Sequence, residues 1–240
     1  NELADFYYSG MSIGWLWGYN HSPSKRNKVL YNHIHHIGWG FLSDMGGVYT
    51  LGPSEGTEVS HNVIHDIYSF GYGGWGLYTD EGSTGIRMEY NLVYNCKSSG
   101  FHQHYGKENI IRNNIFVNNI VAQLEATREE PHLSFTFTNN IICYNGGKMY
   151  GIKWDKANSV VDSNLYWHAG EDVDFNGLGL KEWQSETGKD LHSVIADPGI
   201  RTGDYHPTNR KALRKIGFEQ FDWSEVGVYG DAGWLDQARY

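Results

Sequence analysis

A short apolar run follows an asparagine six times along this chain, at a slowly varying interval. The six runs begin at Asn32, Asn62, Asn91, Asn114, Asn140 and Asn164. Their successive intervals are 30, 29, 23, 26 and 24 residues, a range typical of stacked repeats. Each repeat holds short β-type runs separated by Gly, Asn and Ser, without helical periodicity. The pattern predicts a β-solenoid whose stacked coils share one core.

We therefore expect an all-β fold, a right-handed parallel β-helix of the pectate-lyase-like kind, with one Asn at a bend of every coil. Asn tolerates the left-handed backbone conformation, and its side chain can bond the next Asn in a ladder. Corresponding residues of successive coils would lie about 4.8 Å apart. Residues distant in sequence then become neighbours in a column.

The coil pattern extends over residues 1–169 and stops at Gly170. Residues 1–30 form one incomplete coil, so we expect an N-terminal remainder with further coils in a longer chain, since a solenoid normally ends in a polar cap. Residues 170–240 are predicted to be a C-terminal capping segment of the same domain. They include a candidate short helix at Leu180–Glu186 and seven aromatic residues from Trp183 to Trp234.

Charge and composition narrow the range of expected binding partners. The 240-residue chain has a net charge of −9, and no Lys/Arg run exceeds two residues. Nucleic acid is therefore not an expected partner, because phosphate binding needs a basic stripe. No apolar stretch reaches the ~18 residues of a membrane span, so no membrane partner is expected either. The nine Trp and seventeen Tyr favour a ligand with flat apolar faces.

A second repeat places polar residues on one face of consecutive strands. We align the segments that begin at Gly47, Gly76, Gly100, Val121 and Gly151. Side chains alternate along a strand, which gives two sets. The predicted interior pairs are Val48/Thr50, Leu77/Thr79, Phe101/Gln103, Ala122/Leu124 and Ile152/Trp154. The predicted solvent-facing pairs are Tyr49/Leu51, Tyr78/Asp80, His102/His104, Gln123/Glu125 and Lys153/Asp155. Acids, imidazoles and aromatic rings on one strip are typical of a carbohydrate site.

Asp44 lies outside that register, on the turn before Gly46-Gly47. A competing alignment of Gly40–Asp44 with Gly76–Asp80 would put both Asp in one column. We prefer the first alignment, because its 29-residue interval matches the local Asn period. In both alignments the two Asp come from adjacent coils, which permits the ~5–5.5 Å of retaining glycosidases and does not exclude the ~6.5–9.5 Å of inverting ones.

Asp44 and Asp80 are the predicted catalytic pair, and Glu81 and Glu125 are the alternative catalytic carboxylates. The N–H groups of Gly46 and Gly47 could stabilise a charged Asp44, so we expect Asp44 as nucleophile and Asp80 as acid/base. The predicted substrate-binding residues are Trp39, Tyr49, Trp75, Tyr78, His102, His104, Lys153 and Asp155. The rings of Trp15, Trp17, Trp39 and Trp75 are the candidate stacking platform.

No cofactor or metal is predicted. His102 and His104 face one way on their strand, but no Cys or third His is obviously placed with them. The remaining prominent histidines flank the Asn runs, and we expect a structural role for them: His33, His35, His36, His61 and His65.

Several segments resemble the right-handed parallel β-helix glycoside hydrolases of family 141, which contains xylanases and α-L-fucosidases acting on pectin. They are Ser43-Asp-Met-Gly-Gly-Val-Tyr-Thr-Leu-Gly52, Gly73-Gly-Trp-Gly-Leu-Tyr-Thr-Asp-Glu-Gly-Ser83, His102-Gln-His-Tyr-Gly106, Arg112-Asn-Asn-Ile-Phe116, Asp190-Leu-His-Ser-Val-Ile-Ala-Asp-Pro198 and Gly217-Phe-Glu-Gln-Phe-Asp222. The resemblance covers nearly all of residues 10–230.

The resemblance implies a hydrolase acting on xylan or a pectin side chain with two aspartates, and the best-matching positions are Asp44 and Asp80. A β-helix β-xylosidase family uses an Asp and a Glu, which keeps Glu81 as a candidate. Family members are longer and begin with further coils. Such a substrate also implies a secreted or periplasmic location.

Two other functions stay open. A polysaccharide lyase on a uronate polymer needs a basic proton abstractor, and Lys153 is the one Lys or Arg in the predicted column. A non-catalytic glycan-binding β-helix needs the aromatic residues but not the paired acids.

Overall fold

The structure is a computed structural model and describes residues 1–238. In chain order the strands are β1 (Glu2–Ala4), β2 (Met11–Gly14), β3 (Lys28–Leu30), β4 (His33–Ile37), β5 (Gly46–Leu51), β6 (Glu58–Ser60), β7 (Val63–Ile67), β8 (Trp75–Thr79), β9 (Ser83–Thr84), β10 (Arg87–Glu89), β11 (Leu92–Tyr94), β12 (Phe101–Gln103), β13 (Gly106–Lys107), β14 (Asn109–Arg112), β15 (Ile115–Val117), β16 (Ala122–Ala126), β17 (Phe135–Thr138), β18 (Ile141–Tyr144), β19 (Lys148–Ile152), β20 (Ser159–Asp162), β21 (Leu165–His168) and β22 (Val194–Ile195). The helices are a 3-10 turn at Trp154–Lys156, α1 (Leu180–Thr187), α2 (Arg210–Ile216) and α3 (Ala232–Gln237).

The strands form three long parallel sheets, and each coil passes through them in turn. Sheet 1 has the order β1-β4-β7-β11-β15-β18-β21-β22, sheet 2 the order β2-β5-β8-β12-β16-β19, and sheet 3 the order β3-β6-β10-β14-β17-β20. Strands β9 and β13 form a separate parallel pair. The chain winds about six right-handed turns, so the prediction of a right-handed parallel β-helix is confirmed.

The asparagine ladder lies at the bend from sheet 3 to sheet 1. Each Nδ2 donates to the Oδ1 of the next Asn, at 2.9, 2.9, 2.9, 3.0 and 3.3 Å from Asn32 to Asn164. The predicted ladder is confirmed. The expectation that the Asn itself takes the left-handed conformation is wrong: the residue before each Asn takes it, for example Tyr31 with φ 56° and His61 with φ 55°. The Asn, which does not take that conformation, points its amide along the stack.

Glycine at the start of the sheet 2 strands lets sheets 1 and 2 approach closely. A Cβ on Gly47 would lie 2.3 Å from Cγ2 of Ile64, and one on Gly76 would lie 2.2 Å from Cγ1 of Val93. Both distances are far below van der Waals contact, so these positions exclude larger residues. The interior between the sheets is accordingly mostly apolar and buried.

The segment after Gly170 closes the end of the solenoid. The ring of Trp183 in α1 packs against Tyr150 and Phe175 at the end of the core. The indole Nε1 of Trp183 and the hydroxyl of Tyr166 each donate to the Asp190 carboxyl at 2.9 Å. Asn164, the last member of the ladder, also reaches Asp190 at 3.5 Å. The helix predicted near Leu180 is confirmed, and burial raises the pKa of Asp190.

Residues 196–238, which we call the return tail, run back along the outside of sheet 1. Leu213, Ile216 and Phe218 pack on outward-facing Val63 and Leu92. The tail then reaches the first coil, where the N–H of Gly227 donates to the Tyr31 carbonyl at 3.1 Å. Within residues 1–238, no helix has the length and apolar character needed to cross a membrane.

Candidate active site

A cleft of about 730 Å³ lies on the outer face of sheet 2. Its floor is one column of residues on adjacent strands: Tyr49 pairs with Tyr78, Tyr78 with His102, and His102 with Glu125. Parallel pairing at consistent register therefore brings together groups that lie up to about 76 residues apart in the sequence, as solenoid stacking requires.

The floor is more buried than the sequence predicted. Tyr49, Tyr78, Asp80, His102 and Glu125 are all 6 % exposed or less, whereas we expected a solvent-facing strip. Loops from neighbouring coils, including Trp15 and Tyr72, wall this face. Low exposure strengthens electrostatic interactions between the floor groups.

The predicted register holds for the first three strands and then fails. Gly47, Gly76 and Gly100 align as expected, and the competing alignment of Asp44 with Asp80 is wrong. In β16, Gln123 rather than Val121 takes the place of the leading glycine, and the Gly100 N–H donates to the Gln123 carbonyl. In β19 the register differs by two residues in the other direction, because Met149 rather than Gly151 lies in that column.

This shift moves several candidates. Glu125 pairs with His102 instead of His104 and stays in the cleft. Lys153 and Asp155 follow the end of β19 and do not line the cleft. Ile152, expected inside, has φ 58° and is 61 % exposed at the cleft rim. Leu51, expected outside, is fully buried.

Asp80 is held as an anion at the end of β8. Its Oδ2 accepts a hydrogen bond from the Tyr49 hydroxyl at 2.5 Å, and its Oδ1 lies 2.9 Å from Nδ1 of His104. Burial raises the pKa of this carboxyl, but hydrogen bonds from His104, Tyr49 and Tyr78 outweigh it, and the net shift is downward. Donors that bond the charged form favour it.

Asp44 lies opposite, on the turn before β5, in the left-handed conformation with φ 60°. Its backbone is fixed on both sides: its N–H donates to the Tyr72 carbonyl at 3.0 Å, and its carbonyl accepts from the Tyr8 hydroxyl at 2.8 Å. A Cβ on Gly73 would lie 2.8 Å from the Asp44 nitrogen. The glycine-rich run 71–74 thus allows the next coil to hold Asp44 in place.

The electrostatics of Asp44 are opposite to those of Asp80. Burial, reinforced by the negative charge of Asp80, raises the pKa of the Asp44 carboxyl, although the Tyr78 hydroxyl donates to its Oδ1 at 2.9 Å. The expected stabilisation by glycine N–H groups is not found at Gly46, whose N–H donates to Ser9 Oγ at 3.2 Å. The expectation that the Gly46 N–H stabilises an ionised Asp44 is therefore wrong.

Glu125 and His102 form the far end of the floor. Oε2 of Glu125 accepts from Trp75 Nε1 at 2.5 Å and from Ser99 Oγ at 3.1 Å, and burial raises the pKa of this carboxyl. Nε2 of His102 lies 2.6 Å from Thr127 Oγ1, while its buried Nδ1 has no hydrogen-bond partner. Burial lowers the pKa of His102 to about 3, so its ring is neutral.

The aromatic candidates divide between two places. Trp15 and Trp17 are 53 % and 56 % exposed at the cleft, and their rings meet edge to face. Trp75 is part of the floor. Trp39 packs against Tyr68 and does not line the cleft, so the prediction that it shares the site is wrong.

Sequence reasoning missed several residues of the cleft, among them Tyr8, Tyr72 and Lys97. Lys97 Nζ donates to the carbonyls of Ser69 and Gly71 at 2.7 and 2.6 Å, which fixes the loop that carries Tyr72. The sequence offered a signal for Tyr72, which lies within the run Gly71-Tyr-Gly-Gly74. Tyr8 and Lys97 lie outside the strand repeats, so no pattern in the sequence indicated them.

The described residues contain two groups whose ligand atoms lie within 4.8 Å of one another: Glu2, His33 and His35, and His36, His65 and Asp66. Neither group lines the cleft. Both lie on the outer face of sheet 1.

Comparison with known proteins gives one family. A family model described as "Right handed beta helix region" matches residues 6–166, which is about two thirds of the chain. No curated protein matches the chain.

Proposed function

The chain belongs to the right-handed β-helix family, and from that premise we propose that it is a glycoside hydrolase acting through Asp44 and Asp80. The family includes both hydrolases and lyases, so the reaction class must be argued from the cleft. The proposed substrate is a plant-type cell-wall polysaccharide, xylan or a pectin side chain. The resemblance to family 141 is part of the same proposal.

The observation that carries the proposal is the opposed pKa shift of two neighbouring carboxyls. The pKa of Asp80 is lowered and that of Asp44 is raised. Glycosidases need one ionised and one protonated carboxyl at working pH, and unlike environments provide this. Each charge also acts on the other, so ionisation of Asp80 favours the protonated form of Asp44.

The directions reverse the roles that we expected from the sequence. Asp44 becomes the acid and donates its proton to the glycosidic oxygen. Asp80 becomes the nucleophile of a retaining reaction or the base that takes a proton from water in an inverting one. Tyr49 and His104 hold the Asp80 carboxylate in place, and the Tyr78 hydroxyl bonds Asp44.

Binding groups surround the two acids. The exposed faces of Trp15 and Trp17 are suited to stack on a sugar ring. The unpaired Nδ1 of His102 is suited to a substrate hydroxyl, because a buried polar atom without a partner gains a full hydrogen bond on binding. Glu125 is the alternative acid, since burial raises its pKa as well.

A lyase is less well supported. Its base must be free to take a proton from the sugar ring, but Lys153 does not line the cleft. Lys97 does, yet its Nζ is bonded to the carbonyls of Ser69 and Gly71. The remaining candidates are imidazoles: His104 is bound to Asp80, and His102, whose Nδ1 is unpaired, is a weak base because burial lowers its pKa to about 3.

Product analysis on a panel of plant polysaccharides and aryl glycosides tests the proposal. A hydrolase releases new reducing ends without an ultraviolet-absorbing unsaturated sugar. An unsaturated product would show a lyase, and binding without product would show a glycan-binding module.

Asp80→Ala and Asp44→Ala with added azide assign the roles in a retaining enzyme. Azide attacks the sugar in both variants and gives a glycosyl azide. The product formed without the nucleophile has the opposite configuration to the product formed without the acid. Either variant keeping activity within a few-fold of the wild type would remove that residue from the mechanism.

A further inference from the structure

Four imidazoles and two carboxylates form a cluster on the outer face of sheet 1, under the return tail. We call it the histidine cluster; its members are Glu2, His33, His35, His36, His65 and Asp66. We propose that Glu2, His33 and His35 bind one divalent transition-metal ion of the zinc class, and that the other three members support it through hydrogen bonds.

Strand pairing places the three ligands. Glu2 on β1 pairs with His33 on β4, and His33 and His35 are two residues apart, so they share a face. Oε1 of Glu2 lies 2.8 Å from Nδ1 of His33 and 2.5 Å from Nε2 of His35. Two His nitrogens and one carboxylate oxygen form a common metal-binding set, and an ion between them would spread these contacts by several tenths of an ångström.

The hydrogen-bond chain from Glu2 to Asp66 lacks one proton. It runs from Glu2 to His33 Nδ1 at 2.8 Å, from His33 Nε2 to His65 Nε2 at 2.8 Å, and from His65 Nδ1 to Asp66 at 2.5 Å. These are three contacts, and each needs one hydrogen. Two neutral imidazoles supply two N–H groups, so the chain holds together only with an added proton or another cation.

If an ion is bound at Glu2, every contact is satisfied while all the imidazole rings stay neutral. Nδ1 of His33 then binds the ion with its lone pair, and Nε2–H of His33 donates to His65. Nδ1–H of His65 in turn donates to Asp66. Nε2 of His35 binds the ion, and its Nδ1–H donates to His36 Nδ1 at 2.7 Å. Metal-bound histidines usually donate their second N–H in this way.

The proposed ligand set contains two imidazole nitrogens and one carboxylate oxygen. Neutral imidazole is the form that binds metal. A nitrogen-rich set favours zinc, cobalt or nickel over calcium or magnesium, which prefer oxygen.

The site would join three parts of the fold. Glu2 belongs to the first coil and His33 to the second. Gly227 of the return tail lies against both, since a Cβ there would be 2.8 Å from Glu2 Oε2 and 3.2 Å from His33 Cβ. Metal binding should therefore stabilise the docking of the tail on the first two coils.

Equilibrium dialysis of the full chain against zinc tests the proposal, with calcium and magnesium as competitors in large excess. We expect one zinc per chain, displaced by neither competitor. His33→Ala and Glu2→Gln should weaken binding by 100-fold or more, and His65→Ala by about 10- to 100-fold, because His65 accepts the second N–H of the ligand His33 without touching the ion. His192→Ala is the matched control: His192 also pairs with a carboxylate, Asp162, at 2.6 Å, but stands outside the cluster.

Cobalt gives a second readout that does not depend on overall stability. The wild type and the His192→Ala variant should show the visible absorption of a low-symmetry cobalt site, and the folded Glu2→Gln variant should not. The proposal would be overturned if the wild type bound no zinc, or if His33→Ala and Glu2→Gln bound zinc as tightly as the wild type. Equal weakening of zinc binding in His192→Ala would also overturn it. Glycosidase activity is not a readout here, so the two proposals fail independently.

Discussion

Sheets 1 and 2 are built from the same coils and face the same core, yet apart from the histidine cluster on sheet 1 their outer faces differ. Outside sheet 1, Val63, Leu92 and Ile115 are covered by apolar residues of the return tail. Outside sheet 2, Tyr78, His102 and Glu125 form the floor of a cleft. Inward positions are mostly apolar in both, with a column of buried polar residues on sheet 2: Thr50, Thr79 and Gln103.

This difference shows how a solenoid separates stability from function. The interior and the Asn ladder make the coil, and they leave the outer faces of the sheets without a fixed role. An apolar outer face must be covered, because exposed apolar surface is unfavourable. A polar outer face brings titratable groups into register, since every coil adds its side chains at the same height. The following predictions test this division.

The largest effect is expected at the cleft. Asp80→Asn keeps the size of the side chain but removes the charge, and we expect kcat/KM on an aryl glycoside to fall by about 10³-fold or more. Circular dichroism should be unchanged, since no ladder or core residue is altered. Glu81→Gln is the matched control on the next residue and should keep most of the activity. The reverse result would make Glu81 the catalytic carboxylate.

The next effect is expected beneath the return tail. Leu213 is 3 % exposed against sheet 1, so Leu213→Ala should lower the free energy of unfolding by about 2–5 kcal/mol. Urea unfolding measures this, and kcat/KM of the folded protein should stay near the wild-type value. Leu191→Ala, at a side chain that is 58 % exposed, should cost little. A large loss of activity in Leu213→Ala would show that the two faces are coupled.

A smaller effect is expected within the ladder, which both faces share. Asn114→Ala removes the Oδ1 that accepts from the Nδ2 and backbone N–H of Asn91, each at 2.9 Å. Leaving buried donors unpaired costs about 1–3 kcal/mol. Asn158→Ala, at an exposed hydrogen bond to Pro131, is the control. Equal unfolding midpoints for the two variants would contradict a stabilising ladder.

The smallest effect is expected at the cleft rim. Trp15→Ala removes an exposed ring, and we expect KM to rise by about tenfold or less with kcat nearly unchanged, as for a loss of roughly 1 kcal/mol of stacking. Trp234→Ala, at a ring that is 68 % exposed on α3, should leave KM unchanged. Similar KM values for both variants would place the sugar elsewhere.

The fold was largely predictable because one chemical requirement recurs in every coil. A buried Asn that bonds the corresponding Asn of the next coil recurs along the sequence, and this recurrence predicted the coil boundaries from Asn32 to Asn164. The left-handed conformation was assigned to the wrong residue, because any of several residue types takes it before the Asn, including Tyr31 and Ser163. Only the Asn leaves a signature in the sequence.

The site was predictable as far as glycine marks the register. Gly47, Gly76 and Gly100 aligned Tyr49, Tyr78 and His102 correctly. The alignment failed at Gln123, where a larger residue takes the glycine position by turning its amide to the Asn119 carbonyl. The burial of the floor and the place of Trp39 depend on loop conformation, which no periodic pattern encodes.

The pH dependence of kcat/KM in the wild type and in Asp44→Asn, measured on a nitrophenyl glycoside, tests the central claim most directly. Asp80 must be ionised, so the rate should rise with pH through a pKa below the usual 3.8. Asp44 must be protonated, so the rate should fall as pH rises through a pKa above 3.8. The wild type should thus give a bell-shaped profile, and Asp44→Asn should be slower, keep the acidic limb and lose the alkaline one. An alkaline limb that survives in Asp44→Asn, or the loss of the acidic limb instead, would contradict the assignment of Asp44 as the acid and Asp80 as the anion.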